Sequence, residues 1–355
     1  MTTSAPKLSV IVNNYNYADY VSVAIESALA QDPQPEVIII DDCSTDNSAE
    51  IISQYGDRAK LVLLEENVGQ GGAFNHSAPH ATGDVVLFLD ADDFMLEGAA
   101  RTILDNYDPD VAIYHYRMRY ADEESQLSGI YPPMELALAE GDISEKLRTI
   151  GSYAGTVTSG MVISKKVLDQ ILPMPNPDGF RYGGDGYLTG AAPLYGPNKS
   201  VDETITAYRL HGRQHSRFAS ALAKRARFRI EHADERYATT IDHAARLDLE
   251  IVDNLGEHDA SITLERIVSL LLDPEQHPVS GDTVSALSKK YLSDAPVEGS
   301  LPKRLFWSIW WMIFTHSPRS LQRSLIKWLV DAGTRPAWFQ ATGHFIRRRL
   351  LAKSG

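Results

Sequence analysis

Three aspartates that directly follow an apolar run have the residue type and spacing of a cation site. Asp90, Asp92 and Asp93 come after residues 85–89, which read Val-Val-Leu-Phe-Leu. Such a run is typical of a strand buried on both faces of a parallel sheet. Residues two apart in a strand point the same way, so Asp90 and Asp92 are expected to converge. Converging carboxylates repel unless a cation lies between them, and oxygen ligands suit Mg²⁺ or Mn²⁺.

The same aspartates have a second interpretation as capping residues. Asp92 or Asp93 would then be the N-cap of a helix that starts at Leu96. This stretch, taken alone, fits both interpretations.

Polar and aromatic residues also follow two earlier apolar runs. Asn13 and Tyr15 end the first run, and Asp42 ends the second, which covers residues 37–40. Open α/β folds bind ligands at the carboxyl ends of their strands. There a tyrosine ring can stack on a nucleobase, and an acid can accept a hydrogen bond from a base N–H. The alternative is that these are ordinary turn and cap residues.

Strand-like and helix-like patterns alternate over the first hundred residues. This alternation predicts βαβ units, a parallel sheet and right-handed crossovers. The expected fold class is α/β, with a Rossmann-like, mainly parallel sheet flanked by helices and a helical extension towards the C-terminus. The strand signals lie at residues 8–13, 37–40, 61–64 and 85–89, and the helix signals at 17–30, 44–52 and 69–80.

The pattern becomes less regular after residue 107. Residues 111–120 alternate like a half-exposed strand, residues 121–142 read as a mobile loop, and residues 173–186 read as a loop held by packing. Helical spacing then continues from about residue 216, and residues 217–251 read as one long helix.

The change from mixed to helical character predicts where the chain divides. The break is expected near residues 212–225. We therefore expect an α/β domain over residues 1–220, a helical region over residues 221–300 and a distinct tail over residues 301–355.

Charge and cysteine content limit the classes of function. The chain has 34 Lys and Arg against 47 Asp and Glu, and its net charge of −13 argues against general nucleic-acid binding. The single cysteine, Cys43, excludes an internal disulfide and an all-cysteine metal cage. We expect a cytoplasmic protein because one cysteine fits a reducing compartment and the sequence shows neither a secretory signal nor a membrane-spanning run.

The tail has the opposite charge and contains all five tryptophans. Residues 301–355 include ten Lys or Arg and one acid, Asp331. Residues 305–314, LFWSIWWMIF, are too few to span a bilayer. Tryptophan favours the lipid headgroup zone and basic residues favour anionic lipid, which predicts a peripheral anchor on the inner face of the cell membrane. The alternative is a helix that packs on the α/β domain or on a second copy of the chain, in a homo-oligomer.

Five segments of the chain form a recognisable pattern through their order and spacing. They are LSVIVNNYNYADYVSVAIESALAQ, EVIIIDDCSTDNS, ENVGQGGAFNHSAPHATGDVVLFLDADD, GGDGYLTG and ETITAYRLHGRQHS. This pattern resembles the family 2 glycosyltransferases. The resemblance implies the GT-A fold and a non-processive, inverting transfer of sugar from a nucleotide-sugar donor, expected to be a UDP-sugar. The acceptor would be a hydroxyl of a glycan or a lipid-linked molecule in cell-surface polysaccharide or glycolipid biosynthesis.

For the donor, the resemblance implies a role for each strand end. Tyr15 and Asp42 would contact the nucleobase, with Asn13 nearby. Asp90 and Asp92 would form the D-x-D motif of the family, with Asp92 as a ligand of Mn²⁺ or Mg²⁺ and Asp90 towards the nucleotide. The cation would offset the charge that builds on the leaving diphosphate.

Two later residues complete the implied site. Asp185 matches the general base of the family, which takes the proton of the acceptor hydroxyl on the far side of the sugar. His211 matches a position that approaches the diphosphate and the metal. The alternatives are a turn residue for Asp185 and a packed or surface histidine for His211.

The chain departs from the family pattern at three positions. Cys43 stands where glycine is usual, Phe74 where arginine is common, and Gly184 where glutamate commonly precedes the catalytic aspartate. These positions bear on the choice of donor more than on the reaction. The motif of processive synthases, Gln-x-x-Arg-Trp, is only approached by residues 214–218, which argues against processivity.

Two other classes of function compete with sugar transfer. One is a non-catalytic relative that binds nucleotide sugars or polysaccharide. The other is a dinucleotide-dependent oxidoreductase, suggested by the glycines of residues 69–72. That run lacks the Gly-x-Gly-x-x-Gly spacing after the first strand, so the oxidoreductase is disfavoured.

Overall fold

The computed structural model describes residues 5–211, 219–295, 301–330 and residue 336. Contacts divide these residues into two compact units. The first comprises residues 5–211 and 232–258, and the second comprises residues 219–231 and those from 259 onward. The near miss to the processive motif at residues 214–218, Asp331, Trp338 and the basic residues at 347–349 lie outside the described part of the chain.

The first unit is built on one sheet. Strands β1, β2, β3 and β4 are parallel neighbours. β8 pairs antiparallel with both β4 and β6, and β9 runs parallel to β6. The order is β3-β2-β1-β4-β8-β6-β9-β5, and β7 pairs with β6. The bounds are β1 Leu8–Asn14, β2 Glu36–Asp41, β3 Lys60–Leu63, β4 Val85–Asp90, β5 Phe94–Met95, β6 Ile113–Ala121, β7 Leu127–Tyr131, β8 Met161–Ser164 and β9 Asn198–Arg209.

Helices cover the sheet in the first unit and form most of the second. The first unit contains α1 Val21–Leu29, α2 Ser48–Ser53, α3 Gly69–Ser77, α4 Ala99–Asp105, α5 Ser144–Ile150, α6 Lys165–Ile171, α7 Asp185–Ala191 and α9 Ala233–Arg246. The second contains α8 Ala219–Glu231, α10 Ala260–Leu272, α11 Val284–Asp294, α12 Leu301–His316 and α13 Arg319–Val330. The predicted α/β class with a helical extension is confirmed.

The central strand β1 shows why the sheet needs helices on both faces. Val10 and Val12 point into a core formed with α1 and α4. Ile11, between them, points into the opposite core with Phe74 of α3 and Leu168 of α6. Successive side chains of a strand alternate between faces, so a continuous apolar run requires two covered faces.

The structure overturns the prediction that residues 111–120 form a half-exposed strand. β6 is buried from Ile113 to Met118 because it lies between β8 and β9. Its polar side chains are hydrogen-bonded: His115 contacts Tyr153, and Arg117 donates to the Pro132 carbonyl and pairs with the exposed carboxylate of Asp202. The alternation of polar and apolar residues therefore reflects a buried polar network.

Two other segments differ from their predicted form. Residues 121–142 include strand β7, which pairs with β6. Residues 217–251, predicted as one helix, contain two helices that are separated at His232 and belong to different units. The second of these, α9, holds His243 between the hydroxyls of Tyr187 and Tyr195, within the first unit.

The second unit has its own apolar core. Trp311 and Phe314 of α12 are buried there with Leu271 of α10 and Ile326 of α13. The Trp311 ring lies 4.7 Å from that of Tyr291. Within the described ranges, none of the helices combines the length and the apolar character that crossing a bilayer requires.

Candidate functional site

The candidate site lies at the carboxyl edge of the parallel strands. The pairing register sets Asn13 of β1 opposite Ile40 of β2 and Asp90 of β4. Just beyond, the N–H of Asp42 donates to the carbonyl of Asn14. The register therefore brings Asn13, Asp42 and Asp90 to the same edge, as expected for parallel neighbours.

The turn after β2 is held by hydrogen bonds to Asp41. Its carboxylate accepts from the Asn14 amide at 2.7 Å and from the backbone N–H of Ser44 at 2.9 Å. Cys43, between them, has φ of +56°, a left-handed conformation that favours glycine. This conformation explains why glycine is usual at the position that Cys43 occupies.

Asp42 joins this turn to the start of α3. Its carboxylate accepts from the backbone N–H groups of Val68 at 2.7 Å and Gly69 at 2.8 Å, and from the Asn67 amide at 2.9 Å. Burial is the main cause that raises the pKa of Asp42, and the bonds from Val68 and Gly69 oppose that rise. Three of about four acceptor positions on this carboxylate are used, which leaves room for one bond to a ligand.

Tyr15 lies at the same edge and keeps 43% of its surface exposed. An exposed ring can stack on a flat ligand. Asn13, two residues earlier, is partly buried. The nucleobase contacts of Asn13, Tyr15 and Asp42 stay predictions.

The capping interpretation of the second acidic cluster is wrong. Asp92 and Asp93 are followed by strand β5, and α4 begins only at Ala99, with Gly98 as its N-cap. The reason is a tight turn closed by the Asp93 N–H, which donates to the Asp90 carbonyl at 2.9 Å. After this turn the chain pairs with β9 and does not enter a helix.

Strand β9 brings His211 to Asp92. The His211 Nε2 lies 3.0 Å from the Asp92 carboxylate, and the His211 side chain is only 1% exposed. Arg209, two residues earlier, donates its Nε to the Asp92 carbonyl at 2.8 Å and its backbone N–H to Asp93. The Tyr20 ring packs on His211 at 4.9 Å between centroids. His211 is therefore fixed on several sides beside the D-x-D motif.

Gln70 links the D-x-D motif to the segment that carries Asp185. Its Nε2 donates to the Asp90 carboxylate at 2.9 Å, and its Oε1 accepts from the Gly184 backbone N–H at 2.8 Å. Asp185, the next residue, is the first of helix α7. Sequence reasoning missed Gln70: it predicted a helix over residues 69–80 and included them in a family-like segment, but gave this side chain no role. The Gln70–Gly184 contact joins residues 114 positions apart, so no local pattern could show it.

Negative charge accumulates at this edge. Burial first, and then the charges of Asp92 and Asp185, raise the pKa of the Asp90 carboxyl well above its ordinary value. Burial and the charges of Asp92 and Asp90 raise the pKa of Asp93 in the same direction. The phenol pKa of Tyr17 is raised by burial and by all three aspartates of the turn. The structure thus brings Asp92 and Asp185 each within electrostatic reach of Asp90.

Two departures from the family pattern are in contact. A Cβ atom on Gly184 would lie 2.8 Å from the Phe74 ring, closer than side chains tolerate. Phe74 is itself fixed, because it is fully buried and stacks on Phe88 at 4.0 Å. Phe74 therefore fills the space that a side chain at residue 184 would need.

The donor set suits a divalent cation in part. The Asp92 carboxylate and the His211 imidazole supply an oxygen and a nitrogen, and the surplus of negative charge favours a cation. Among residues 5–211, 219–295 and 301–330, no group of three or more His, Cys, Asp or Glu side chains is arranged to hold a metal. A cation here would need further ligand atoms from a bound molecule or from water.

Comparison with known proteins connects this site to a family. The model of the family described as "Glycosyl transferase family 2" matches residues 9–172. An uncharacterized glycosyltransferase of Nostoc sp. (strain PCC 7120) is 33% identical over 255 residues, which cover 68% of this chain and 79% of the relative. The family model therefore includes the ends of β1, β2 and β4, and the match to the Nostoc protein covers most of that relative's length.

A second relative and a solved structure are similar over different extents. The putative teichuronic acid biosynthesis glycosyltransferase TuaG of Bacillus subtilis (strain 168) is 44% identical over 97 residues, 26% of this chain and 38% of the relative. The mannosyltransferase PcManGT of Pyrobaculum calidifontis, solved with GDP-Man and Mn²⁺, superimposes with a TM-score of 0.52 at 16% identity. That superposition covers 95% of this chain and 88% of PcManGT, and it supports the shared fold.

Proposed function

The chain belongs to glycosyltransferase family 2, and from this membership we propose that it is a metal-dependent, inverting sugar transferase. The donor is a nucleotide sugar, expected to be a UDP-sugar, and the acceptor is a hydroxyl of a glycan or lipid-linked molecule. The observation that carries the proposal is the convergence of Asp90, Asp92, His211 and Asp185 at one edge of the sheet, where burial and then the charges of Asp92 and Asp185 raise the pKa of Asp90.

The nucleotide end of the donor is assigned to the first two strand ends. The exposed ring of Tyr15 would stack on the base, and the remaining acceptor position of Asp42 would take a base N–H. Asn13 is near the end of β1, the strand that lies between β2 and the strand of Asp90, β4. A donor lying across this edge would run from Tyr15 towards Asp92.

Asp92 and His211 would hold a Mn²⁺ or Mg²⁺ ion, with diphosphate oxygens as further ligands. When bound, that ion supplies positive charge against the negative charge that develops on the leaving diphosphate. Asp90 is oriented by Gln70 and would face the ribose side of the donor. The histidine is already fixed beside Asp92, so little reorganisation is needed on binding.

Asp185 would act as the general base. It would accept the proton of the acceptor hydroxyl while that oxygen attacks the anomeric carbon on the face opposite the diphosphate, which inverts the configuration. Its position at the start of α7 is fixed through the bond between Gly184 and Gln70. Gln70 therefore links Asp90 to the residue before Asp185, although these residues are far apart in the sequence.

The relatives suggest the setting of this reaction. One is named for teichuronic acid biosynthesis, so we assign this chain to assembly of a cell-surface polysaccharide or glycolipid. The alternative is the non-catalytic relative considered from the sequence, which would bind a nucleotide sugar or polysaccharide without transferring sugar.

A donor panel tests the proposal. The full chain is incubated with UDP-, GDP- and dTDP-sugars, with Mn²⁺ or with a chelator, and release of nucleoside diphosphate is measured. We expect one donor class to be turned over in the presence of the metal, with an inverted anomeric product by NMR. Binding of a donor without turnover with any glycan or lipid-linked acceptor would favour the non-catalytic alternative.

A further inference from the structure

Helix α12 in the second unit exposes a row of large apolar side chains. We define the α12 stripe as the five apolar residues of this helix that lie on one face and are each between 44% and 56% exposed: Leu305, Phe306, Ile309, Met312 and Ile313. Their spacing of one, four, seven and eight residues from the first places them on one side of a helix. Contiguous exposed apolar surface of this kind marks an interaction site.

The core of the second unit does not account for this stripe. The opposite side of α12 already packs inward through Trp311, which is 2% exposed, and Phe314, which is fully buried. Trp310 stacks on Phe314 at 5.3 Å. A helix that is apolar on all sides is normally buried on all sides. In α12 only the side that carries Trp311 and Phe314 is buried, and the stripe is exposed.

The charge around the stripe limits the type of partner. Residues 301–330 contain five Lys or Arg and no Asp or Glu. On α13, Arg319, Arg323 and Lys327 repeat every four residues and so form one row. This segment is positive although the chain as a whole is negative, which favours an anionic partner.

We propose that the α12 stripe is a membrane-docking face whose partner is an anionic lipid bilayer. The helix has 16 residues, about 24 Å in length, and lies in the plane of the surface with the stripe in the acyl boundary. The basic side chains interact with anionic headgroups. Apolar side chains suit the acyl region of a bilayer because they need no hydrogen-bond partners, and that region provides none.

This assignment changes the part given to the tryptophans. The sequence suggested that they lie in the headgroup zone, but Trp311 is part of the protein core. The anchoring residues are instead the leucine, phenylalanine, isoleucines and methionine of the stripe. The inner side of α12 packs within the second unit itself, which is neither the α/β domain nor a second copy of the chain. The exposed side is the one that we assign to the membrane.

Flotation of the full chain on lipid vesicles tests the proposal. Vesicles of phosphatidylcholine, with or without phosphatidylglycerol, are compared using wild type and the double variant Ile309→Asp/Met312→Asp. We expect binding to the anionic vesicles only, and a loss of roughly tenfold or more in the double variant. The matched control is Ile241→Asp/Val252→Asp, which introduces the same two charges at residues of the first unit that are 44% and 40% exposed, and it should bind like wild type.

Two further arms keep the outcome decisive. A milder variant, Ile309→Ser/Met312→Ser, is used if the aspartates unfold the second unit, as judged by circular dichroism. Arg319→Glu/Lys327→Glu should weaken binding to anionic vesicles while leaving the fold intact. The proposal would be overturned if the wild-type protein did not bind anionic vesicles, or if folded stripe variants bound them as strongly as wild type. A stripe variant that turns a dimer into a monomer without lipid would also overturn it, in favour of a second copy of the chain.

Discussion

Two acidic strand ends flank β1 and use their carboxylates differently. After β2, Asp41 and Asp42 accept hydrogen bonds from Asn14, Ser44, Val68 and Gly69, and the last two oppose the rise that burial causes in the pKa of Asp42. After β4, Asp90 is held by Gln70, but Asp92 and Asp185 add like charge to it. Aspartates at the ends of neighbouring strands thus have different effects. Those at the end of β2 stabilise a turn, whereas those at the end of β4 concentrate negative charge that can bind a cation.

The difference has a physical consequence for stability and activity. Matched carboxylates stabilise the fold, because removing one leaves buried donors without acceptors. Crowded carboxylates reduce stability until a cation or a proton reaches them. Substitutions at the two strand ends should therefore move stability in opposite directions, and only the second should change the chemistry.

The largest effect is expected at Asp185. Asp185→Asn keeps the shape of the side chain but removes its basicity, so turnover should fall by about 10² to 10⁴-fold. Affinity for the nucleotide should change little because the donor is held elsewhere. Steady-state kinetics with saturating donor, together with calorimetric titration of the nucleotide, check this. An amide variant with near wild-type turnover would remove Asp185 from the role of base.

Asp42→Asn should give the largest loss of stability. The new NH₂ group must face one of the donors of Asn67, Val68 or Gly69, which leaves a buried group unsatisfied at a cost of about 1–3 kcal/mol. Chemical denaturation of the metal-free protein measures this. Unchanged stability would mean that the hydrogen bonds of Asp42 do not hold the loop.

Gln70→Ala should reduce turnover by roughly 10- to 100-fold, because misplacing a reacting group by about 1 Å can cost up to about 10²-fold. The side chain touches neither leaving group nor acceptor in the proposed mechanism, so it acts by positioning Asp90 and Gly184. The reduction should appear in kcat more than in KM. Gln70→Glu, which keeps an acceptor for Gly184 but adds charge beside Asp90, should not restore activity. Full activity in Gln70→Ala would show that Gly184 and Asp90 hold their places without it.

The smallest of these effects is expected for Asp90→Asn. The amide oxygen can still accept from Gln70, while a crowded negative charge is removed, so the metal-free protein should be more stable than wild type. Denaturation side by side with Asp42→Asn gives the comparison directly. Loss of stability in both variants would mean that the carboxylates at both strand ends stabilise the fold, which contradicts the comparison.

The sequence predicted the parts of this account that depend on local pattern or on motif order. Apolar runs gave the parallel strands, and the motif order singled out Asp90, Asp92, Asp185 and His211, which the structure brings to one edge. The burial of β6 was not predictable, because it depends on β9 pairing alongside it. A single-strand pattern does not contain that neighbour.

Other features were hidden for the same reason. The turn at Asp93 leads into β5 because β9 offers it a partner, whereas capping rules consider only the next few residues. The contact between Phe74 and Gly184 joins two departures that looked independent in sequence. The two sides of α12 likewise required knowledge of which residues pack on Tyr291. Long-range contacts, unlike periodicity, have no local signal.

The most direct test of the central claim is whether a cation at Asp92 controls nucleotide binding. Calorimetric titration of UDP and GDP into the full chain, with and without Mn²⁺, is compared between wild type and Asp92→Ala. We predict that Mn²⁺ tightens binding of one nucleotide by about tenfold or more in wild type and not at all in the variant. The account would be contradicted if Mn²⁺ did not change the affinity of wild type for either nucleotide, or if it raised the affinity of Asp92→Ala by the same factor.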